Sequence, residues 1–292
     1  MLHELSAKQR EARARLCLPL DNLYTLEEVA NRVEELSPYV GLFKVGKGTF
    51  TRFGPKAVDL VQDYNADVFL DLKYHDIPNT VEDAADAATW LEVRMFNLHI
   101  VGGGKMMEAA IAGATKAAEK YGVRRPDIFG VTILTSLDAA KYLDVYKPVN
   151  PELKQVDFGK YIDVSKDDEA LQEEFRALLK LYNLTGIIQT QVAHLADMAY
   201  NAGLDGCICS AADLFAFGDK LPKEFKRGTP GIEGTTTPAG YDQSPDRVFS
   251  PGNAISAGSD ILIAGRAITK HGKAEERQQA AFDVLTDMAD RI

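Results

Sequence analysis

Short apolar runs recur along the chain, and most are followed by a stretch whose apolar positions repeat with helical spacing. The first run is Leu16–Asp21, with a helix over Thr25–Leu36, and the second is Gly41–Gly46, with a helix over Pro55–Tyr64. Val68–Lys73 leads to Thr80–Leu91, and Met95–Ile100 leads to Lys105–Lys120. Further runs fall at Asp127–Leu134, Leu204–Ser210, Phe225–Gly231 and Asp260–Gly265. A polar helix over Glu4–Ala14 is expected to lie across the bottom of the fold. Strands alternating with helices imply a parallel sheet. Eight such units predict a closed (β/α)8 TIM barrel, one α/β domain over 1–292, with its ligand site at the C-terminal ends of the strands.

The spacing is uneven between the fifth and sixth runs, where far more chain intervenes than a crossover needs. The stretch at about 140–185 reads as a helical insertion between strands 5 and 6, either decoration or a subunit contact. Within it, Ser165-Lys166-Asp167-Asp168 has the form of a capping box opening a helix with Leu171, Phe175, Leu178, Leu179 and Tyr182 on one face. A second helix, about Gln189–Asn201, ends at Gly203. Pro19 lacks the donor a strand interior requires, which predicts a bulge or slipped register in the first strand.

Parity along the strands sorts the polar residues. In Val68-Phe69-Leu70-Asp71-Leu72-Lys73, the leucines share one face and Asp71 and Lys73 the other, so the charged pair points inward if the leucines meet helices. Asp76 lies just past the strand end. Buried charges of this kind are tolerated only when they pair, so a structural salt bridge is the plain alternative to a catalytic group. Lys44 has the inward parity in the second run, with Phe43 and Val45 facing out. Asp21 ends the first run as either a helix cap or a site residue; His99 closes the fourth and reads as a hydrogen-bonded core histidine; Thr135 and Ser136 follow the fifth. Thr229-Pro230-Gly231-Ile232 and Gly265-Arg266 leave the last two runs, where barrels commonly bind phosphate through backbone N–H groups and a guanidinium. Residues 233–250 are polar and Gly-containing, as a flap closing over ligand would be.

Composition narrows the chemistry. The 292 residues carry a net charge of −10 with no dense basic run, which argues against a nucleic-acid partner and requires a locally positive pocket for any anionic substrate. No membrane-length apolar run occurs, the charged start of the sequence does not read as a signal peptide, and Cys17, Cys207 and Cys209 do not read as a disulfide framework, so a cytoplasmic location is expected. Cys207-x-Cys209 lacks zinc spacing, and Gly102-Gly103-Gly104 lacks the dinucleotide pattern, so neither a metal nor a cofactor is expected.

The motif Phe69-Leu-Asp-Leu-Lys-Tyr-His-Asp-Ile-Pro-Asn-Thr80 resembles the signature of the orotidine 5′-phosphate decarboxylase family. Supporting matches are Leu18-Pro-Leu-Asp21, Phe43-Lys-Val-Gly-Lys47, Asn97-Leu-His99, Val131-Thr-Ile-Leu-Thr-Ser136, Thr229-Pro-Gly-Ile232 and Ile263-Ala-Gly-Arg266. The resemblance implies cofactor-free decarboxylation of orotidine 5′-phosphate to uridine 5′-phosphate (UMP) by a homodimer with shared active sites. Lys44, Asp71, Lys73 and Asp76 would form the charged network, with Asp76, Ile77 and Thr80 reaching into the neighbouring subunit's site. Asp21 would bind ribose hydroxyls, Thr135 and Ser136 the pyrimidine, and Gln243, Gly265 and Arg266 the phosphate. Lys73 would stabilise the carbanion at C6 and then protonate it. One departure is notable: Glu233 follows Thr-Pro-Gly-Ile where many bacterial relatives carry Arg. Two other readings compete. One is a Mg-dependent sugar-phosphate decarboxylase or aldolase sharing the Asp-x-Lys-x-x-Asp pattern, against which the His-Asp-Ile-Pro-Asn-Thr continuation argues. The other is a non-catalytic nucleotide-binding barrel.

Overall fold

The structure is a computed structural model that describes residues 4–146, 153–162, 168–217, 220–233 and 249–292. Its eight strands close one parallel barrel in chain order: β1 (Leu16–Pro19), β2 (Leu42–Gly46), β3 (Asp67–Tyr74), β4 (Met95–His99), β5 (Asp127–Val131), β6 (Gly206–Ile208), β7 (Lys226–Pro230) and β8 (Ile261–Ile263). β8 returns to β1 through Leu16↔Leu262 and Cys17↔Ile263. The helices are α1 (Ala7–Arg15), α2 (Leu26–Leu36), α3 (Lys47–Phe53), α4 (Lys56–Asp63), α5 (Pro78–Trp90), α6 (Gly104–Tyr121), α7 (Ala139–Val145), α8 (Glu169–Leu181), α9 (Ile187–Asn201), α10 (Pro251–Ser256), α11 (Arg266–Thr269) and α12 (Ala274–Ala289).

Strand alternation splits the core in two. Cys17, Leu42, Phe69, Met95, Phe129, Val131, Ile208 and Ile263 fill the barrel interior. The intervening residues, among them Leu18, Phe43, Val45, Leu70, Phe96, Leu98 and Leu262, pack outward against the helix layer. α2 shows how the outer layer is fixed: Thr25 accepts from the Glu28 N–H, the Glu28 carboxylate accepts from the Thr25 N–H, and Val29, Val33 and Leu36 are buried. Close strand approach decides one residue type, because a β-carbon on Gly206 would stand 2.4 Å from the Lys226 carbonyl oxygen. At the bottom, α1 crosses the strand starts as expected: Arg15 donates to the Ser259 and Asp260 carbonyls, and Arg13 to that of Ser37.

The structure departs from the expected elements at three points. Pro19 causes neither a bulge nor a slip; β1 pairs with β2 in regular register through Pro19↔Lys44. Pro19 is the last strand residue, and the Leu20 N–H turns to the Lys44 carbonyl, so the missing donor lies on the β8 side, beyond the last pair there, Cys17↔Ile263. The short helix α3 was not foreseen; it fits between β2 and α4 because Gly54, at φ 60°, ends it with a sharp reversal. α8 begins at Glu169, and its cap is Asp168, which accepts from the Leu171 N–H; the expected capping serine, Ser165, lies outside the described residues.

Candidate active site

β2 and β3 carry the charged cluster. Their register sets Lys44 beside Phe69 and Gly46 beside Asp71, so Lys44 and Asp71 rise successively from the apolar floor formed by Phe69 and its neighbours. Asp71 is the hub. One of its oxygens takes Lys44 Nζ at 3.0 Å, and the other takes Lys73 Nζ at 2.5 Å and Asn97 Nδ2 at 2.7 Å. Lys44 Nζ also reaches Asp21 Oδ1 at 3.5 Å. A β-carbon at Gly46 would come within 2.9 Å of that ammonium, so glycine keeps the space in which Lys44 turns.

The lysines differ in exposure: the Lys44 side chain is 11% exposed and that of Lys73 is 25%. Lys73 is therefore the more open of the two cations, although both border the cavity over the cluster. Burial alone would raise the Asp71 pKa, but Lys44, Lys73 and the hydrogen bonds from Lys73 and Asn97 outweigh it and bring it down to about 2. Burial works against the Lys44 charge as well, yet Asp71 and Asp21 raise its pKa above the ordinary value. The cluster is held ionised on both sides. His99 goes the other way: burial first, then the charges of His75, Lys73 and Lys47, lower it to about 4, leaving a neutral imidazole at physiological pH.

Lys73 has an unusual backbone. Its φ is 52°, in the left-handed region that a lysine adopts only when its surroundings hold it there. The β3–β4 register shifts between Leu70 and Tyr74, and within that irregularity the Lys73 N–H leaves the ladder for Asn97 Oδ1 at 2.8 Å. Asn97 is 1% exposed on the inward face of β4. Asn97 is a site residue that the strand pattern and the motif did not single out. The available signal was a polar residue of inward parity in the apolar run Met95–His99, which must find partners if buried.

Two adjoining cavities open over the cluster. One, about 360 Å³, is lined by Lys44, Asp71, Lys73, Asn97, Thr135 and Ser136 above a floor that includes Phe69 and Ile208. The other, about 520 Å³, is lined by Asp21, Lys44, Gly231, Glu233, Gly265 and Arg266. Lys44, Pro230 and Ile263 belong to both. Arg266 opens α11 directly after β8, and its guanidinium stands 3.7 Å from the buried Glu233 carboxylate.

The expected residues thus fall into three groups. Lys44, Asp71, Lys73, Thr135 and Ser136 meet at the first cavity, and Asp21, Gly265 and Arg266 at the second. Asp76, Ile77 and Thr80 are exposed on the rim and line neither; Ile77 is 66% exposed, and Asp76 Oδ1 accepts from the Ile77 N–H. Gln243 lies outside the described residues.

A closed parallel barrel with an ammonium-edged cavity joined to an arginine-bearing pocket, both at the C-terminal strand ends, has the architecture of a (β/α)8 enzyme. The chain belongs to the orotidine 5′-phosphate decarboxylase / HUMPS family, whose profile matches residues 14–157 and 165–281. It is 38% identical over 280 residues to an orotidine 5′-phosphate decarboxylase of Syntrophus aciditrophicus, covering 96% of this chain and 95% of the relative. To one from Vibrio parahaemolyticus it is 38% identical over 239 residues, covering 82% and 83% of the two chains. Among solved structures, the orotidine 5′-phosphate decarboxylase of Lactobacillus acidophilus superimposes with a TM-score of 0.68 at 25% identity, covering 94% of this chain and 98% of that one.

Proposed function

We propose that this chain converts orotidine 5′-phosphate to UMP and CO2, the last step of de novo pyrimidine synthesis, with its own side chains as the catalytic groups. The observation that carries the reading is Asp71 gripped by two lysines and Asn97, with the Lys73 ammonium left at the cavity wall.

The pyrimidine occupies the smaller cavity and the phosphate the larger, with the ribose between, beside Asp21 and Lys44, where the two cavities join. The bond from C6 to the carboxylate breaks, CO2 leaves, and the electron pair stays on C6. No neighbouring carbonyl delocalises that pair, so a fixed positive charge must stabilise it as it forms. The Lys73 ammonium does so and then gives C6 a proton, to be restored from solvent. Lysine suits both tasks because it is a compact cation that gives up its proton, which arginine is not. Asp71 pairs with Lys73 and aims it, and Lys44 offsets the remaining carboxylate charge. A single general acid contributes roughly 10²–10⁴-fold, so preorganised charge and positioning supply the rest. Arg266 and the backbone at Gly265 receive the phosphate, and binding energy gained there serves to seat the ring. Gln243 joins them in this reading.

The working unit is a homodimer in the cytoplasm. What supports sharing of sites is the exposed rim segment: Asp76, Ile77 and Thr80 line neither cavity of their own chain and are open to a second subunit. The chain is read as one domain, with about 140–185 as an insertion; β5 and β6 pair directly across it through Phe129↔Gly206. The test is absorbance-monitored turnover of orotidine 5′-phosphate with and without a chelator. Equal turnover in both arms is expected; loss on chelation would favour the metal-dependent barrel enzymes, and UMP binding without CO2 release a non-catalytic protein.

A further inference from the structure

A carboxylate only accepts hydrogen bonds and a backbone N–H only donates. A group that bridges Asp71 Oδ1 and the Lys73 N–H must therefore donate to the first and accept from the second, as a primary amide does with its NH2 toward the acid and its oxygen toward the lysine backbone. Asn97 has that arrangement, at 2.7 Å and 2.8 Å. An apolar residue there would strand a buried donor and remove a bond from a buried carboxylate. From this the geometry points to Asn97 as a positioning residue for the decarboxylation, tying the carboxylate and the ammonium of the Asp71–Lys73 pair into one unit; the inference rests on the functional reading above.

The link has two consequences. The bond to the Lys73 N–H replaces the ladder bond lost where the β3–β4 register shifts, and so supports a lysine at φ 52°. That conformation sets the direction in which the side chain leaves the strand, hence where the ammonium stands over the cavity. The bond to Asp71 Oδ1 shares the oxygen that Lys73 Nζ uses, so the carboxylate cannot rotate away from the ammonium without breaking two contacts. Asn97 also lines the smaller cavity, deep among groups that hold the pyrimidine end of the ligand. The charged and titratable groups around position 97 are Asp71 and Lys73 on β3, Lys44 of β2 on the other Asp71 oxygen, and His99 two residues along β4.

Asn97→Asp is the discriminating variant, because it keeps the shape and the acceptor but turns the donor into a second carboxylate oxygen against Asp71. At neutral pH, kcat is expected to fall on the order of 10²-fold, the size of losing one preorganised donor. UMP affinity should stay within a few-fold. Next to Asp71 the new carboxyl has a raised pKa, so acidification toward about pH 5 protonates it, restores a donor and recovers kcat relative to wild type. A kcat within about threefold of wild type, or a deficit equal at every pH, overturns the inference. If the Asp variant does not fold, Asn97→Ala decides: a kcat loss with nearly unchanged UMP binding supports it, and equal losses in both overturn it. Wild-type turnover in the same assay separates the two levels. Its absence removes the functional reading, while normal turnover beside an unaffected variant removes only the role of Asn97.

Discussion

Both ends of the barrel carry aspartates paired with basic side chains, and they differ in what those pairs face. At the base, Asp127 takes Arg124 Nη2 at 2.7 Å and Lys226 Nζ at 2.8 Å. Asp205 pairs with Arg125 at 2.6 Å and accepts from the Ile128 N–H at 2.8 Å, and Asp260 accepts from the Arg227 N–H at 2.8 Å. These acids join neighbouring strands, Asp205 and Asp260 by accepting from amides near the strand starts, while the cations on Asp127 remain part-exposed. At the mouth, the Asp71 partners converge on a cavity, and one of them, Lys73, sits on a left-handed backbone. Under the proposed function, equal chemistry serves stability where it closes the ladder and catalysis where it borders a cavity. A count of ion pairs would not separate the two ends; orientation relative to the strand direction does.

The largest effect that tests this contrast is at the mouth. Lys73→Ala should lower kcat by more than about 10³-fold while UMP binding stays measurable. Near-normal turnover would break the assignment. Arg266→Ala comes next: losing a charge-assisted phosphate contact should reduce kcat/KM about 10²-fold, with phosphate-free uridine bound equally by both proteins. At the base, Asp127→Ala should cost about 2 kcal/mol, less than a fully buried pair because its cations are part-exposed. Its kcat should be unchanged; a kcat loss exceeding the stability loss would erase the distinction between the ends.

The smallest effect is a pH dependence. The folded state depresses His99 from 6.5 to about 4, so it favours neutral imidazole. That contribution to stability is fully present above pH 6.5 and lost as pH falls toward 4. The Asp71 contribution, present above pH 3.8, is lost only on further acidification toward about 2. His99→Asn should flatten the first limb of an acid melting series and leave the second.

Much of this was legible in the sequence because the strand period is two and the barrel interior has room for one face only. Parity alone set Asp71, Lys73 and Lys44 inward, and the structure brings them within ion-pair distance. What escaped depends on geometry that parity does not encode. The φ of Lys73 and the register shift beside it arise from β3 meeting β4, and Asn97 acquires its partners only because of that shift. Pro19 was read as a defect because its position relative to the end of pairing with β8 is a property of the closed barrel. α3 is too short for its period to stand out, with Gly54 its one clear stop.

The central claim is that the Lys73 ammonium exchanges a proton with C6. Microscopic reversibility gives the most direct test: UMP incubated with enzyme in D2O, with the C6 proton followed by NMR. Decay of that signal with the wild type and its persistence with Lys73→Ala is the predicted result. Equal rates in both proteins would contradict the account.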